Sequence, residues 1–255
     1  MPRLSTSAIL LRKIDFGDYD VIVTFFTISK GKMSAIAKSA KKSRRRFAGI
    51  LELFSTLNIV CETGRRKGLP VLTEAVLIHP FPGIRSDILR TAYASYWAEM
   101  INECMEEGEK NQDIYKLYLY VLRALDGEFQ PAAVLSVLFQ LRFLLLSGYA
   151  PNLEECSKCH KNVEEISESK ILFDLQKGGL LCRQCALRHP NQTELQKGTI
   201  KQLQWLKTGA LKKAERSRFT DQAIGESLKL LEAFAPYHLG KRLRTLAFLQ
   251  QIRGR

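Results

Sequence analysis

Residues 1–80 consist of short segments in which apolar and polar positions alternate, the pattern of a half-buried β-strand. Valine, isoleucine, phenylalanine and threonine prevail in these segments, and such residues suit a pleated surface. Turn signals separate the segments. The predicted strands are Thr6–Leu11, Asp20–Ile28, Met33–Lys38, Phe54–Cys61 and Val71–Ile78. Five strands in so short a segment favour a small closed barrel over an open sheet, whose edges would need protection.

Residues 79–83 include two prolines and a glycine, which interrupt regular secondary structure. After them, apolar residues recur at every third or fourth position. This spacing is that of one face of an α-helix. The predicted helices are Ser86–Glu107, Ile114–Leu125, Pro131–Leu146, Gly198–Leu211, Asp221–Phe234 and Leu239–Gln251. The third of them is apolar nearly all round from Val134 to Leu146, which predicts a centrally buried helix.

The composition is that of an ordinary folded protein, with 45% apolar and 25% charged residues in a chain of 255. No apolar run reaches the ~20 residues that a membrane span needs. The N-terminal segment also lacks the pattern of a signal peptide. We therefore expect a cytoplasmic protein that has no membrane partner.

Positive charge is concentrated at the two ends of the chain. Lysine and arginine number 39 against 26 acidic residues, which gives a net charge of +13. The charge is +8 over residues 1–80, −5 over 81–155, +2 over 156–190 and +8 over 191–255. A basic excess of this size indicates a polyanionic partner, most often nucleic acid.

Four of the six cysteines form two C-x-x-C pairs, Cys156 with Cys159 and Cys182 with Cys185. Two residues between thiolates allow one turn to present both sulfurs to the same tetrahedral metal ion. The segment between the pairs, residues 160–181, contains a hairpin pattern, which is typical of a zinc ribbon. The spacing therefore predicts one Zn²⁺ per chain, held by these four residues. Because four thiolates leave no open position for water, this zinc is expected to be structural rather than catalytic.

Other roles for the cysteines are less favoured. A thioredoxin-like redox pair would lie beside a βαβ unit, and the sequence shows no such unit. A disulfide would suit a secreted protein, and the sequence shows no secretion signal. His160 and His189 lie beside the pairs, but with four cysteines available we expect them not to bind the metal. Cys61 and Cys104 fall on apolar faces and are expected to be core thiols.

Together these patterns predict a multidomain protein of the α+β class. Residues 1–80 would form a five-stranded β-barrel of the oligonucleotide-binding (OB) type that binds nucleic acid. Residues 81–255 would form a helical-bundle body, with the four-cysteine zinc knuckle inserted at residues 152–190.

The densest basic run places six basic residues within nine positions, between two predicted strands of the barrel. Such a cluster neutralises phosphates, and arginine also stacks on bases. The alternative is that this run is only a solvated surface loop. Because the same domain contains a second basic loop, that alternative is less favoured. The predicted DNA-binding track consists of Lys38, Lys41, Lys42, Arg44, Arg45, Arg46, Arg65 and Arg66. Four phenylalanines nearby are mostly expected in the core, although one or two of them could stack on bases: Phe25, Phe26, Phe47 and Phe54.

A third basic cluster, Lys241, Arg242 and Arg244, is predicted to lie on the last helix. It either extends the DNA-binding track or balances the acidic middle of the chain. Its charge alone does not decide between these two roles.

Familiar catalytic motifs are missing. The sequence has no G-x-x-x-x-G-K-[ST] phosphate loop, no G-x-S-x-G or H-E-x-x-H motif and no zinc-deaminase pattern. A nucleic-acid-binding protein without enzymatic activity is therefore the favoured class. One alternative is a zinc-ribbon scaffold that binds folded RNA, and another is an RNA-modifying enzyme with reactive cysteines.

Several segments follow one another in a characteristic order along the whole chain. They are Ser7–Arg12, Gly17–Asp20, Gly31–Glu52, Leu146–Cys156 and Leu239–Thr245. In order and spacing they resemble the RecO family of bacterial DNA repair proteins. The usual family pattern has Ala-Lys-Gly-Ala-Arg where this chain has Ala-Lys-Ser-Ala-Lys at residues 37–41, which keeps the charge and loses a glycine.

This resemblance implies a recombination mediator that acts without nucleotide hydrolysis. Proteins of the family bind single- and double-stranded DNA and anneal complementary strands. Together with RecR, in the RecF pathway, they help to load RecA onto DNA coated by the single-stranded-DNA-binding protein (SSB). The resemblance also implies that the helical body binds the acidic C-terminal tail of SSB. Lys241, Arg242 and Arg244 are candidate contacts on grounds of charge.

Overall fold

The N-terminal strands form a sheet that closes on itself. The computed structural model describes residues 3–43, 46–63, 68–186, 192–209, 211 and 219–254. Its first five strands are β1 (Arg3–Phe16), β2 (Asp20–Thr27), β3 (Gly31–Ala37), β4 (Thr56–Glu62) and β5 (Val71–His79). They are hydrogen-bonded in the order β1-β2-β3-β5-β4, and β4 pairs back to β1. All five strands predicted from the alternating pattern are present.

Apolar side chains fill the inside of this barrel, because successive residues of a strand point to opposite faces. The buried cluster consists of Ala8, Leu10, Val21, Val23, Phe25, Ala35, Ala37, Phe47, Leu51, Leu57, Ile59, Cys61 and Leu72. Phe26 and Phe54 are also buried. The four phenylalanines expected in the core are therefore packing residues and cannot stack on bases.

β1 is longer than its predicted extent, which ended at Leu11. Its register with β2 shifts between Leu10 and Arg12, which marks a β-bulge. Residues 12–16 continue to pair with β2, whereas the ladder with β4 covers only residues 3–9. This second half is exposed and carries charged residues, so its hydrophobic pattern did not indicate a strand.

β4 begins at Thr56 rather than at the predicted Phe54. Phe54 has a φ of 70°, in the left-handed region that a bulky residue rarely adopts. Its N–H donates to the Leu10 carbonyl at 2.9 Å, and the Leu10 N–H donates to the Ser55 carbonyl at 3.1 Å. These two bonds hold the segment before β4 against the bulge of β1.

Seven helices are present in the described part of the chain. They are α1 (Pro82–Arg85), α2 (Ile88–Cys104), α3 (Gln112–Asp126), α4 (Ala132–Leu146), α5 (Lys197–Thr208), α6 (Asp221–Leu239) and α7 (Arg244–Arg253). Side chains cap the N-termini of α2 and α3. The Asp87 carboxylate accepts the Arg90 N–H at 2.8 Å, and the Asn111 side-chain oxygen accepts the Ile114 N–H at 3.0 Å.

The last two helices differ from their predicted bounds. α6 runs five residues past its predicted end, and α7 begins at Arg244, five residues after its predicted start. Pro236 lies inside α6. The helix ends at Leu239, and the next residue, Gly240, has a φ of 61° and donates its N–H to the Pro236 carbonyl. Lys241 and Arg242 therefore lie between the two helices, so their predicted place on the last helix is wrong.

A second, four-stranded sheet carries the cysteine pairs. It consists of β6 (Asn152–Cys156), β7 (Lys170–Asp174), β8 (Gly179–Leu181) and β9 (Gln192–Gln196), in the order β6-β8-β7-β9. β7 and β8 are the hairpin predicted between the pairs, whereas β6 and β9 were not predicted. Phe173 of β7 packs edge-on against Phe234 of α6, with ring centroids 5.5 Å apart.

Contacts divide the chain into two compact units, residues 1–127 with 247–255 and residues 128–246. The first contains the barrel, α1 to α3 and most of α7; the second contains α4 to α6 and the cysteine sheet. The predicted boundary after residue 80 marks the change from strands to helices, and it stays a prediction. Within the described residues, no helix is both long and apolar enough to span a membrane.

α4 occupies the centre of the second unit, as its uniformly apolar sequence predicts. Ten of its 15 residues are buried, including Ser136 and Gln140, whose side chains hydrogen-bond to each other at 3.1 Å. Arg142 donates from its Nε to the Leu206 carbonyl at 2.8 Å and from its Nη2 to the Gly209 carbonyl. Because the last carbonyls of a helix have no partner within it, Arg142 links α4 to the end of α5.

Replacing Arg142 with alanine should destabilise the second unit, because partly buried carbonyl groups lose their donor. Hydrogen bonds to a charged group contribute about 1.5–3 kcal/mol. We expect thermal unfolding, followed by circular dichroism, to begin several degrees lower. Arg123→Ala, which removes an exposed arginine of α3, is the matched control. Equal unfolding temperatures for the two variants would contradict this role of Arg142.

Candidate metal centre and nucleic-acid interface

The four cysteines of the two C-x-x-C pairs come together in space. Cys156 ends β6, and Cys182 directly follows β8. All four Sγ atoms lie within 4.8 Å of one another, and those of Cys159 and Cys182 are 3.7 Å apart. In a tetrahedral site with Zn–S bonds of ~2.3 Å, the sulfurs are roughly 3.8 Å apart. The cluster could therefore hold one four-coordinate metal ion.

Parallel pairing of β6 with β8 brings the two cysteine pairs together. Cys156 is in register with Leu180, and the Ser157 N–H donates to the Leu180 carbonyl at 2.8 Å. Within the second pair, the Cys185 N–H donates to the Cys182 carbonyl at 2.9 Å. This turn places both thiols of the pair on the same side of the backbone.

The thiols differ in how readily they ionise. Burial raises the pKa of Cys156, but backbone hydrogen bonds from Cys159, Cys182 and Lys158 lower it to about 6. The Cys182 N–H, for example, donates to the Cys156 Sγ at 3.5 Å. A hydrogen bond with the Cys182 thiol raises the pKa of Cys185 to about 12, and desolvation adds to it. Four sulfurs this close cannot all be thiolates unless a cation neutralises them, and a divalent metal ion would do so.

The remaining cysteines and histidines lie outside this cluster. His160 is 73% exposed at its side chain, and its Nδ1 lies 2.7 Å from Glu155 Oε1, which raises its pKa. It is not a member of the cluster, and His189 lies outside the described residues. Cys61 is buried in the barrel, where burial raises its pKa to about 11. Cys104, expected to be a core thiol, is only half-buried in α2.

The described part of the basic run turns back onto the end of the β1–β2 hairpin. The Lys41 N–H donates to the Tyr19 carbonyl at 3.0 Å. The Lys41 Nζ donates to the Gly17 carbonyl at 3.1 Å and lies 3.2 Å from the Asp15 carboxylate. The hairpin therefore fixes the position of this loop on the barrel.

Four exposed basic residues gather there: Lys38, Lys41, Lys42 and Arg46. The Lys42 Nζ lies 3.4 Å from the centroid of the Tyr19 ring. The Arg46 guanidinium donates to the Lys38 carbonyl at 3.3 Å. The other members of the predicted track lie outside the described residues: Arg44, Arg45, Arg65 and Arg66.

The third basic cluster lies in the second unit, around the start of α7. Lys241, Arg242 and Arg244 are exposed, whereas Leu243 between them is buried. The three basic residues are therefore accessible to solvent, whereas Leu243 packs inside the protein.

Sequence reasoning missed two exposed aromatic residues at the end of the β1–β2 hairpin. Phe16 is 52% exposed and Tyr19 is 46% exposed. Both flank the turn signal Gly17-Asp18, and an aromatic residue beside a turn on an amphipathic hairpin could have indicated them. Their place beside Lys41 and Lys42 became visible only in the folded barrel.

Comparison with known proteins covers nearly the whole chain. Family models described as Recombination protein O N terminal and Recombination protein O C terminal match residues 1–81 and 85–247. A protein of Desulfatibacillum aliphaticivorans named DNA repair protein RecO is 43% identical over 256 residues, covering 100% of this chain and 99% of that protein. The chain belongs to the RecO family.

Further RecO-family proteins show the same extent of similarity. One from Desulfosudis oleivorans is 39% identical and one from Anaeromyxobacter sp. strain K is 34% identical. Each alignment covers 99% of this chain, with 99% and 98% of the respective relative. The resemblance seen in separate segments is thus confirmed over both the barrel and the cysteine-bearing unit.

A substitution at Gly179 tests whether the pairing of β6 with β8 holds the cysteine cluster together. A Cβ at this position would lie 2.2 Å from Ser157 Oγ and 3.0 Å from Asn152 Cβ. The serine side chain can rotate, but Asn152 can yield only if β6 shifts. Gly179→Ala should therefore destabilise the unit by about 1–3 kcal/mol and lower the metal content of the purified protein.

The matched control is Gly198→Ala in the first turn of α5, where an added Cβ meets nothing within 4 Å. Thermal unfolding and elemental analysis of both variants provide the comparison. An unfolding temperature of Gly179→Ala equal to that of the control would show that β6 and β8 do not need this close approach.

Proposed function

We propose that this protein is a DNA-binding recombination mediator in DNA repair, which binds single- and double-stranded DNA and anneals complementary strands without ATP. The observation that carries this proposal is the group of exposed basic residues which the β1–β2 hairpin positions on the barrel. Membership of the RecO family supports it, since the relatives are named DNA repair proteins. The barrel would be an OB-type nucleic-acid-binding domain.

Annealing requires that two polyanions approach each other, and a basic surface lowers their repulsion. The Lys41 charge is partly offset by Asp15, 3.2 Å away. Lys42 lies over an aromatic ring and Arg46 contacts a backbone carbonyl, so in the described part of the chain these two charges remain available for phosphates. Such a surface binds either strand through its backbone and needs no covalent step.

The same proposal includes protein partners. With RecR, the protein would help RecA to load onto SSB-coated DNA. The exposed cluster Lys241, Arg242 and Arg244 would bind the acidic C-terminal tail of SSB by charge complementarity. These steps would take place in the bacterial cytoplasm, on the nucleoid.

Strand annealing tests this function directly. Complementary oligonucleotides are coated with SSB and mixed with the protein without ATP, at low and moderate salt. We expect rapid annealing that slows as salt rises, because phosphate contacts weaken. Binding of DNA with no annealing would contradict the proposal and favour a zinc-ribbon scaffold that prefers folded RNA.

Replacing Arg44, Arg45 and Arg46 together with alanine should weaken DNA binding and slow annealing. Each lost phosphate contact lowers the magnitude of the slope of log K against log salt by about 0.7–0.9, so we expect the three substitutions to lower it by about 2–3. A variant with the same loss of charge elsewhere, Lys110→Ala, Lys116→Ala and Arg123→Ala, is the control. An unchanged slope in the first variant would remove the basic run from the interface.

We further propose that Cys156, Cys159, Cys182 and Cys185 hold one structural Zn²⁺. Thiolates are soft ligands that favour zinc over magnesium or calcium, and four of them complete its tetrahedral coordination. The bound metal would supply a cross-link between the two cysteine pairs in a sheet whose strands have only three to five residues. The residues themselves position the sulfurs and exclude water from the metal.

Elemental analysis of the purified protein should find about one zinc per chain. Cys182→Ser should lose the metal and unfold at a lower temperature, whereas Cys104→Ser, which changes a half-buried cysteine of α2, should retain it. A zinc content near zero, with all thiols reactive in the native protein, would overturn this assignment.

A further inference from the structure

Exposed apolar side chains cluster at the end of the β1–β2 hairpin. Ile14 is 39%, Phe16 is 52% and Tyr19 is 46% exposed. Single exposed apolar residues are common on protein surfaces, but three within six positions form a patch, and patches mark interaction sites. These side chains are not part of the barrel core.

This patch continues as an apolar row across three strands. Ile14 pairs with Ile22 of β2, and Ile22 pairs with Ile36 of β3. Both isoleucines of the inner strands are half-buried. Phe16 lies two residues beyond Ile14 and therefore on the same face of β1. Apolar side chains thus form a row on the outer face of the hairpin, and the row ends at the exposed ring of Phe16.

Positive charge borders the patch. The described residues within 12–20 and 38–46 include six basic and three acidic ones: Arg12, Lys13, Lys38, Lys41, Lys42 and Arg46 against Asp15, Asp18 and Asp20. Two of the acidic side chains have local partners, since Asp15 lies 3.2 Å from Lys41 Nζ and Asp20 accepts the Ser39 N–H at 2.7 Å. The Lys42 ammonium lies 3.4 Å from the Tyr19 ring centroid, so a cation and a stacking ring are adjacent.

We infer that the rings of Phe16 and Tyr19 form a base-stacking surface for single-stranded DNA, with Ile14 as its apolar neighbour, and that Tyr19 joins this surface to the phosphate-binding basic loop. The inference rests on the proposed function and adds to it that aromatic rings contact the bases while basic side chains contact the phosphates. Bases of a single strand expose their faces and stack on aromatic side chains, whereas bases in a duplex are already stacked on one another. The basic loop therefore binds both forms of DNA, and the stacking surface distinguishes the single strand.

Charge complementarity selects DNA over a protein as the occupant. A purely apolar partner would leave the surrounding lysines and arginines without counter-charges, whereas a single strand provides a base for each ring and a phosphate for each cation. The alternative occupant, a second protein, is an outcome of the test.

The test compares two ligands of equal length and charge, an oligothymidylate and an abasic strand. The full-length protein should bind the oligothymidylate more tightly, because only this strand has bases to stack. Phe16→Ala combined with Tyr19→Ala should reduce that affinity, on the order of 10-fold for each ring, and leave binding of the abasic strand and of duplex DNA unchanged. Phe129→Ala, which removes a 69% exposed aromatic residue of the second unit, is the control.

A second variant separates stacking from apolar contact. Phe16→Leu combined with Tyr19→Leu keeps apolar area without an aromatic face, and we expect it to bind oligothymidylate as weakly as the alanine variant. Equal affinity of the unaltered protein for the two strands would overturn the inference while leaving the proposed function intact. The same holds if the alanine variant keeps its affinity for DNA but loses binding to a protein partner. Failure to bind any of the three DNA ligands would overturn the proposed function and the inference with it.

Discussion

The backbone pairing of β1 with two different strands is the constraint on which the candidate interface depends. Residues 3–9 pair with β4 and close the barrel, whereas residues 12–16 pair with β2 and extend the hairpin. The bulge between these parts keeps its polar groups bonded, since Leu10 exchanges hydrogen bonds with Phe54 and Ser55. Without the extended half of β1, neither the basic loop nor the exposed rings would have a fixed support.

The cysteine cluster depends on a similar pairing in the second unit. β6 and β8 are parallel neighbours, although the segment 160–181 separates the two cysteine pairs, and the hairpin β7–β8 returns the chain to β6. These short strands bury apolar side chains such as Leu153 and Leu180, and Phe173 packs against Phe234 of α6. The basic loop and the cysteine cluster lie in separate parts of the chain, and each is positioned by hydrogen bonds between backbone segments.

Local sequence patterns were sufficient to predict the structure of a segment where its conformation depends on its own residues. Alternation located all five barrel strands, and the apolar sequence of α4 indicated its central position. The C-x-x-C spacing named the four cysteines that the structure brings together. The errors occurred where a distant partner sets the conformation, as at Phe54, whose positive φ is held by the bulge of β1. The predicted end of α6 at Phe234 was also wrong, because the helix continues through Pro236 to Leu239.

The sequence by itself thus determined the element types, the candidate metal ligands and the basic character of the barrel domain, because these follow from residue chemistry at short spacing. Only the tertiary structure decided which charges and rings stand together. Lys41 and Lys42 meet Tyr19 although β2 and β3 lie between them along the chain, because the antiparallel pairing of β2 with β3 brings the ends of these two strands together. The same holds for the four sulfurs, whose separation in space is set by the β6–β8 register. Long-range backbone pairing, which no local pattern encodes, is the physical reason for this difference.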